Sequence, residues 1–275
     1  RRGGNVSVFM GPTAEATERK RVADQQAQRI REALAGDGLR LVFQPIASLE
    51  GEPGRLLDTH LRMLTGDGSE LMAMDFLPVA IEYGLMPAID EWVMQAAVRQ
   101  LAESDESGGD DPTLFIRMSN QTLASPDAML KVWQDAVETQ RIRPAQLVFE
   151  IGEGQIHDHR SKFAALRQKI IDGQGRLAID RFGNRHASIG LLSTVEPDFI
   201  KLDPAFTRSL ESSDDSARRQ FAEIIETAQS KGIRTIAEHV EDANAMAQLW
   251  QLGINYGQGN HVQSSMTADE PLADN

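Results

Sequence analysis

The chain has 275 residues, 41% of them hydrophobic, enough for one large domain or two ordinary ones with a substantial core. It contains no cysteine, which excludes disulfides and thiolate metal sites and fits a reducing compartment. With 28 Lys+Arg against 41 Asp+Glu the formal net charge is -13, so extended nucleic-acid binding is disfavoured, while a small anionic ligand in a locally basic pocket stays possible.

Neither terminus carries an apolar run of membrane-spanning length, and Arg1-Arg2-Gly3-Gly4-Asn5 lacks the apolar segment of a secretory signal. A cytoplasmic chain without membrane insertion is expected. Asn5 to Met10 form an isolated apolar run that looks like the last strand of an upstream domain, so residues 1–12 are assigned to such a remnant. Over residues 13–36 a helix is predicted, with Val22, Gln26, Ile30 and Leu34 at four-residue intervals among charged residues. Its thin apolar stripe suits a linker helix, stopped by Gly36-Asp37-Gly38.

From Leu39 strands and helices alternate. Leu41 to Ile46 and Leu56 to Leu64 read as two strands joined by a turn near Glu52-Pro53-Gly54. On the second, Leu57, Thr59, Leu61 and Met63 share one face, and Asp58, His60 and Arg62 share the other. A helical region runs from Asp75 to about Glu103, broken at Gly84 and restarted after Pro87. Then follow strand 114–118, helix 126–140, strand 147–151, helix 159–172, strand 176–180, a short helix near 187–194, strand 198–202, helix 216–231, strand 234–238, helix 244–252 and strand 255–258. Eight strands, most followed by a helix in about 230 residues, argue for an α/β fold closed as a (β/α)8 barrel over residues 37–265. Residues 266–275 read as an acidic tail.

Ligand sites of such barrels lie at the C-terminal ends of the strands. Those positions hold Asp58, His60 and Arg62, then Arg117 with Ser119, then Glu150, Asp180, Lys201, Glu238 and Gln258. Any one of them reads equally well as half of a structural ion pair. Together they point to a ligand, because burying unpaired charge costs several kcal/mol or more per ion.

The same residues carry a resemblance. Gln44-Pro45-Ile46, Leu61-Arg62, Ile89-Asp90-Glu91-Trp92-Val93, Val148-Phe149-Glu150-Ile151, Ile179-Asp180-Arg181-Phe182-Gly183, Ile200-Lys201-Leu202-Asp203, Ala237-Glu238-His239-Val240-Glu241 and Gln258-Gly259 resemble, in order, the successive motifs of the EAL-domain family. The resemblance covers about Leu39 to Val262 and implies a modified TIM barrel that, in active members, uses divalent metals to hydrolyse cyclic di-GMP. The upstream piece resembles the end of a GGDEF domain. By resemblance Gln44 and Arg62 contact the dinucleotide backbone and Asp90 a guanine edge, while Pro45, Leu61 and His239 lie inside the matching motifs and join the expected ligand-binding set.

Against the family pattern, Asp58-Thr59-His60 stands in place of Glu-Ala-Leu, Arg117 in place of a metal-binding Asn, and Arg181 in place of the second Asp of Asp-Asp-Phe-Gly. Arginine offers no lone pair and repels a dication, so the two arginines are expected to empty the metal site. The freed carboxylates would pair with Arg117, Arg181 and Lys201 as a salt-bridged floor, under a basic mouth formed by His60, Arg62, Arg117, Arg181, Arg185 and Lys201. Arg185 and His186 share the expected loop after Phe182. The resemblance thus implies an inactive EAL domain, without metal or other cofactor. It would act as a cyclic di-GMP receptor of the FimX type, relaying to a PilZ-domain partner in type IV pilus and twitching regulation. The alternatives are a weak metal-dependent phosphodiesterase and a ligand-free interaction scaffold.

Overall fold

A computed structural model describes residues 14–106, 112–183, 188–205, 215–259 and 266–267. The strands are β1 (Leu39–Ser48), β2 (Arg55–Leu64), β3 (Glu70–Met72), β4 (Pro112–Arg117), β5 (Leu147–Gly152), β6 (Arg176–Phe182), β7 (Phe199–Leu202), β8 (Arg234–Ala237), β9 (Tyr256–Gln258) and β10 (Met266–Thr267). The helices are α1 (Ala14–Ala35), α2 (Ala73–Glu82), α3 (Met86–Glu106), α4 (Asn120–Ala124), α5 (Asp127–Glu138), α6 (Glu153–Asp158), α7 (Arg160–Asp172), α8 (Ser188–Val195), α9 (Asp215–Ser230) and α10 (Ala243–Gln251). None of the described helices is long and apolar enough to cross a membrane.

The sheet runs β10-β1-β9-β8-β7-β6-β5-β4-β2-β3, and an added β1–β2 pairing closes eight strands into a barrel. Seven of the eight are parallel in sequence, whereas β1 is antiparallel to both β2 and β9. That reversal follows from the tight turn after β1, since a short hairpin can join only antiparallel strands. The expected α/β barrel of the modified TIM type is the fold observed. Met266 and Thr267, read from the sequence as the start of a tail, instead form β10 on the edge of β1.

Two apolar layers hold the barrel. Inside it lie Ile46, Phe115, Val148, Ala178, Phe199, Ile236 and Tyr256, with Leu56 against them, and the Phe115 and Phe199 rings meet edge to face at 5.0 Å. A larger cluster, including Leu41, Leu61, Leu114, Trp133, Phe149, Leu166, Ile179 and Ile225, packs the outer strand faces against the helices. Side chains alternate along a strand, so two residues beyond each inner apolar residue another side chain points inward. Those next positions are Gln44, Asp58, Arg117, Glu150, Asp180, Lys201, Glu238 and Gln258. The barrel therefore carries a polar ring stacked one layer above its inner apolar plug.

α1 is docked. Ala27 and Ile30 are fully buried and Ala33 nearly so, while Val22 is exposed, and Tyr83 Oη donates to Asp24 Oδ1 at 2.6 Å. The small alanines let the helix lie close to α2, so burial follows Ala27, Ile30 and Ala33 and excludes Val22. Ile30→Ala is expected to lower stability by about 2–4 kcal/mol in urea denaturation, whereas Val22→Ala should stay within about 0.5 kcal/mol. Equal effects would place α1 off the barrel.

Candidate functional site

The polar ring is knit by one buried cation, Lys201, and one half-exposed cation, Arg117. Lys201, fully buried, places Nζ 2.9 Å from Asp58 Oδ2 and 2.6 Å from Glu150 Oε2. Arg117 donates from Nε to Glu150 Oε1 at 2.8 Å, and its Nη2 contacts both Glu150 Oε1 and, at 3.2 Å, Asp180 Oδ2. The result is a continuous chain, Asp58, Lys201, Glu150, Arg117, Asp180. Burial opposes the charge on Lys201, but Asp58 and Glu150 overcome it and raise its pKa above the usual lysine value. For Asp58, burial works upward and Lys201, His60 and Arg117 work downward, leaving its carboxyl well below the usual range. Glu150, next to Asp180, adds to burial in raising the Asp180 pKa, against Arg117.

Gln258 closes the ring. Its Nε2 donates to Asp58 Oδ2 at 2.8 Å and to Gln44 Oε1 at 2.9 Å, which fixes the amide orientation because both partners are acceptors. Its Oε1 is then the free end, buried and without a hydrogen-bond partner among the described residues. The residue is held there by Gly259, where a Cβ would lie 2.3 Å from the Val240 carbonyl oxygen. Above it opens a cleft of about 280 Å³ lined by Gln44, His60, Glu238, His239, Glu241, Gln258 and Gly259.

Two strand ends are bent by non-glycine residues in the left-handed region, Arg181 with φ 51° and His239 with φ 61°. Each directly follows a ring carboxylate, Asp180 or Glu238, and β6 carries a register shift between Ile179 and Phe182. Such irregularity re-aims side chains at barrel rims. Glu238 is half-buried, and burial pushes its carboxyl up to about 7, with Lys201 opposing.

A model of the EAL domain matches residues 27–265. The chain belongs to the EAL family. Solved EAL domains of FimX resemble it closely. That from Pseudomonas aeruginosa, bound to c-di-GMP, superposes with a TM-score of 0.80 at 29% identity over 88% of this chain and 96% of that one. That from Xanthomonas citri, in complex with c-di-GMP, gives 0.84 at 27% identity over 90% and 96%. Among curated relatives, the cyclic di-GMP phosphodiesterase PdeF of Escherichia coli is 30% identical over 84% of this chain and 30% of its own length. The chain spans about a third of the length of the curated relatives it matches.

Within this EAL domain the expected site residues divide. Gln44, His60, Glu238, His239 and Gln258 line the cleft, and Arg117, Glu150, Asp180 and Lys201 form its ion-paired floor together with Asp58. Leu61 is a correction: its side chain is 8% exposed and packs in the outer core, because β2 turns Asp58 and His60 the other way. Pro45 likewise lies by alternation on the face opposite Gln44 and Ile46. Asp90, expected at a ligand, is 5% exposed, and its Oδ2 accepts from the Ser119 amide at 2.8 Å. Ser119 in turn caps α4, its Oγ accepting from the Thr122 amide. These two residues therefore clamp the end of β4 instead of facing the cleft.

The expected basic mouth also shrinks. Lys201 is neutralised in the floor, and for His60 burial outweighs Asp58 and lowers the pKa. Its Nε2 lies 3.3 Å from Gln44 Oε1 and 3.7 Å from Asp58 Oδ2. Arg62 makes no ion pair among the described residues; its Nη1 donates only to the Leu61 carbonyl, at 3.2 Å. Arg181 is exposed and reaches Asp180 from outside at 3.9 Å. Arg185 and His186 lie outside the described residues.

Sequence reasoning passed over Glu153, 2% exposed, which accepts from the Gly183 amide at 2.9 Å and from Ser188 Oγ, tying α6 to the end of β6 and the start of α8. A carboxylate three residues after Glu150, at the start of a helix, was the available signal.

Because Glu238 has a folded-state pKa above its unfolded value, the folded form keeps a proton the unfolded form loses as pH rises. Stability is expected to fall between about pH 4.5 and 7 and to stay low above that. Glu238→Gln should therefore stabilise the chain at pH 8 by on the order of 1–3 kcal/mol, and by little at pH 4.5, in paired urea titrations. An equal gain at both pH values would refute this assignment.

Proposed function

We propose that this EAL domain is a cyclic di-GMP receptor that does not hydrolyse its ligand. The observation that carries this reading is the cleft wall at Gln258. A buried amide oxygen without a partner calls for a donor from outside the protein, and a guanine edge supplies N–H donors. Arg62, half-buried and free of carboxylates among the described residues, suits a phosphodiester, which a guanidinium binds by charge-assisted contacts. The FimX domains bound to c-di-GMP, similar over nearly their whole length, support the same ligand.

Hydrolysis in this family implies divalent metal ions, and the residues present do not fit them. Glu150 and Asp180 are already bridged by Arg117, and Asp58 and Glu150 by Lys201. Among the described residues no group of three or more histidine or acidic side chains is arranged to hold a metal ion. Relay to a PilZ-domain partner in the cytoplasm, in type IV pilus regulation, extends this reading and rests on the resemblance to FimX-type receptors. A second reading, slow metal-dependent hydrolysis, is favoured by the likeness to PdeF and by the retained Glu150, Asp180 and Glu238.

Calorimetry with cyclic di-GMP in the presence of a chelator is expected to show binding, weakened roughly 10–100-fold by Arg62→Ala. Absence of heat in chelator would sink the receptor reading. Release of the linear dinucleotide in Mg²⁺ or Mn²⁺, abolished by Glu150→Gln, would establish the second reading instead.

A further inference from the structure

The ring holds its positive charge in an unusual place. Glu150 Oε1 and Asp180 Oδ2, from adjacent strands, converge on a single atom, Nη2 of Arg117. The other Glu150 oxygen and Asp58 Oδ2 converge on Lys201 Nζ. Asp58, Glu150 and Asp180 are each at most 4% exposed, so their charges depend on partners within the protein. Two oxygens converging on one point at a barrel rim, with a third carboxylate nearby, is the donor arrangement a hard divalent cation takes, usually completed by water. Here that point is filled by a nitrogen that has no lone pair to give and does not lose its proton.

We propose that Arg117 is a covalently tethered substitute for a divalent cation, and that it alone keeps the Glu150–Asp180 pair from binding one. Lys201 does not perform this role, because it neutralises the far side of Glu150 and leaves Glu150 Oε1 and Asp180 Oδ2 to Arg117. Arg181 does not either, since it touches Asp180 from solvent at 3.9 Å with a side chain 73% exposed. Replacing Arg117 by a residue with a carbonyl oxygen removes one positive charge, opens the convergence point and adds a donor. This deepens the receptor reading, since a cation tethered to the chain makes the pocket floor independent of metal supply.

The test needs no nucleotide, so its failure is distinct from failure of the receptor reading. The full chain, R117N and R117K are titrated with Mn²⁺ by calorimetry and by thermal shift, with and without chelator. R117N is expected to take one Mn²⁺ with a dissociation constant on the order of 10⁻⁴–10⁻³ M and a rise in Tm of roughly 2–4 °C that chelator reverses. The unaltered chain and R117K, which keep the positive charge, are expected to show neither. A folded R117N that ignores Mn²⁺ overturns the proposal, as does R117K binding as R117N does. If R117N folds only in Mn²⁺, the proposal stands. If R117N and R117K both fail to fold with and without Mn²⁺, the unaltered chain decides: stoichiometric Mn²⁺ that broadens the Glu150 and Asp180 resonances overturns it, and no such binding upholds it.

Discussion

Everything at the mouth of this barrel depends on the burial of one ammonium between two carboxylates. Lys201 has no exposed surface, and its Nζ sits between Asp58 and Glu150 at hydrogen-bonding distance. An isolated lysine there would face a desolvation penalty of several kcal/mol, and so would each carboxylate. Only the three together are tolerable, and they reach each other because β2, β5 and β7 present their inward side chains at one height. The Phe115 ring beneath, 5.3 Å from Nζ, offers its π face as a further partner. The ammonium thus joins the apolar plug to the polar ring and fixes where the ring begins.

Closure of the barrel places the remaining members. Because β1 runs against both neighbours, Gln44 comes opposite Asp58 and Ile46 opposite Gln258. The two amides and the carboxylate then share hydrogen bonds that a parallel strand in this position would not align. The rim is braced from outside as well. Asp90 on α3 holds the Ser119 amide, Ser119 caps α4, and Gln121 on α4 donates to the Ile81 carbonyl at the end of α2. α2 carries Tyr83 just beyond it, which grips Asp24 of α1. A continuous set of polar contacts therefore runs from the end of β4 to the helix that leads into the barrel.

Strand order and the polar strand ends were legible because both follow from period-two alternation and from turn residues. The eight barrel strands fall where alternation put them, and the ring residues on β4 to β9 are those the strand ends named. Pro45 and Leu61 were assigned to the site because they lie inside the matching motifs, although alternation sets each on the face opposite its neighbours Gln44 and His60. Short helices such as α4 and α6 hold too few residues to show a period, and with them went the roles of Ser119 as a cap and of Glu153 as the partner of Gly183 and Ser188. The downward shift of the His60 pKa was out of reach because it depends on burial. α1 shows the same limit: its four-residue stripe was visible, but which alanines would bury was decided by the surface of α2.

On the proposed reading, the ring separates ligand capture from hydrolysis. A divalent ion polarises a phosphoryl oxygen and lowers the pKa of a bound water, effects that act mainly on the transition state. A guanidinium or ammonium supplies charge and hydrogen bonds to an anion in its ground state but has no vacant position for water. Substituting tethered cations for metal ions therefore preserves the electrostatic complement to a phosphodiester while withdrawing the means of activating its attacker. In this chain Arg117 and Lys201 each span two carboxylates and tie the floor together. On the proposed reading the ligand meets Gln258 Oε1, buried without a hydrogen-bond partner, and Arg62, without an ion pair among the described residues.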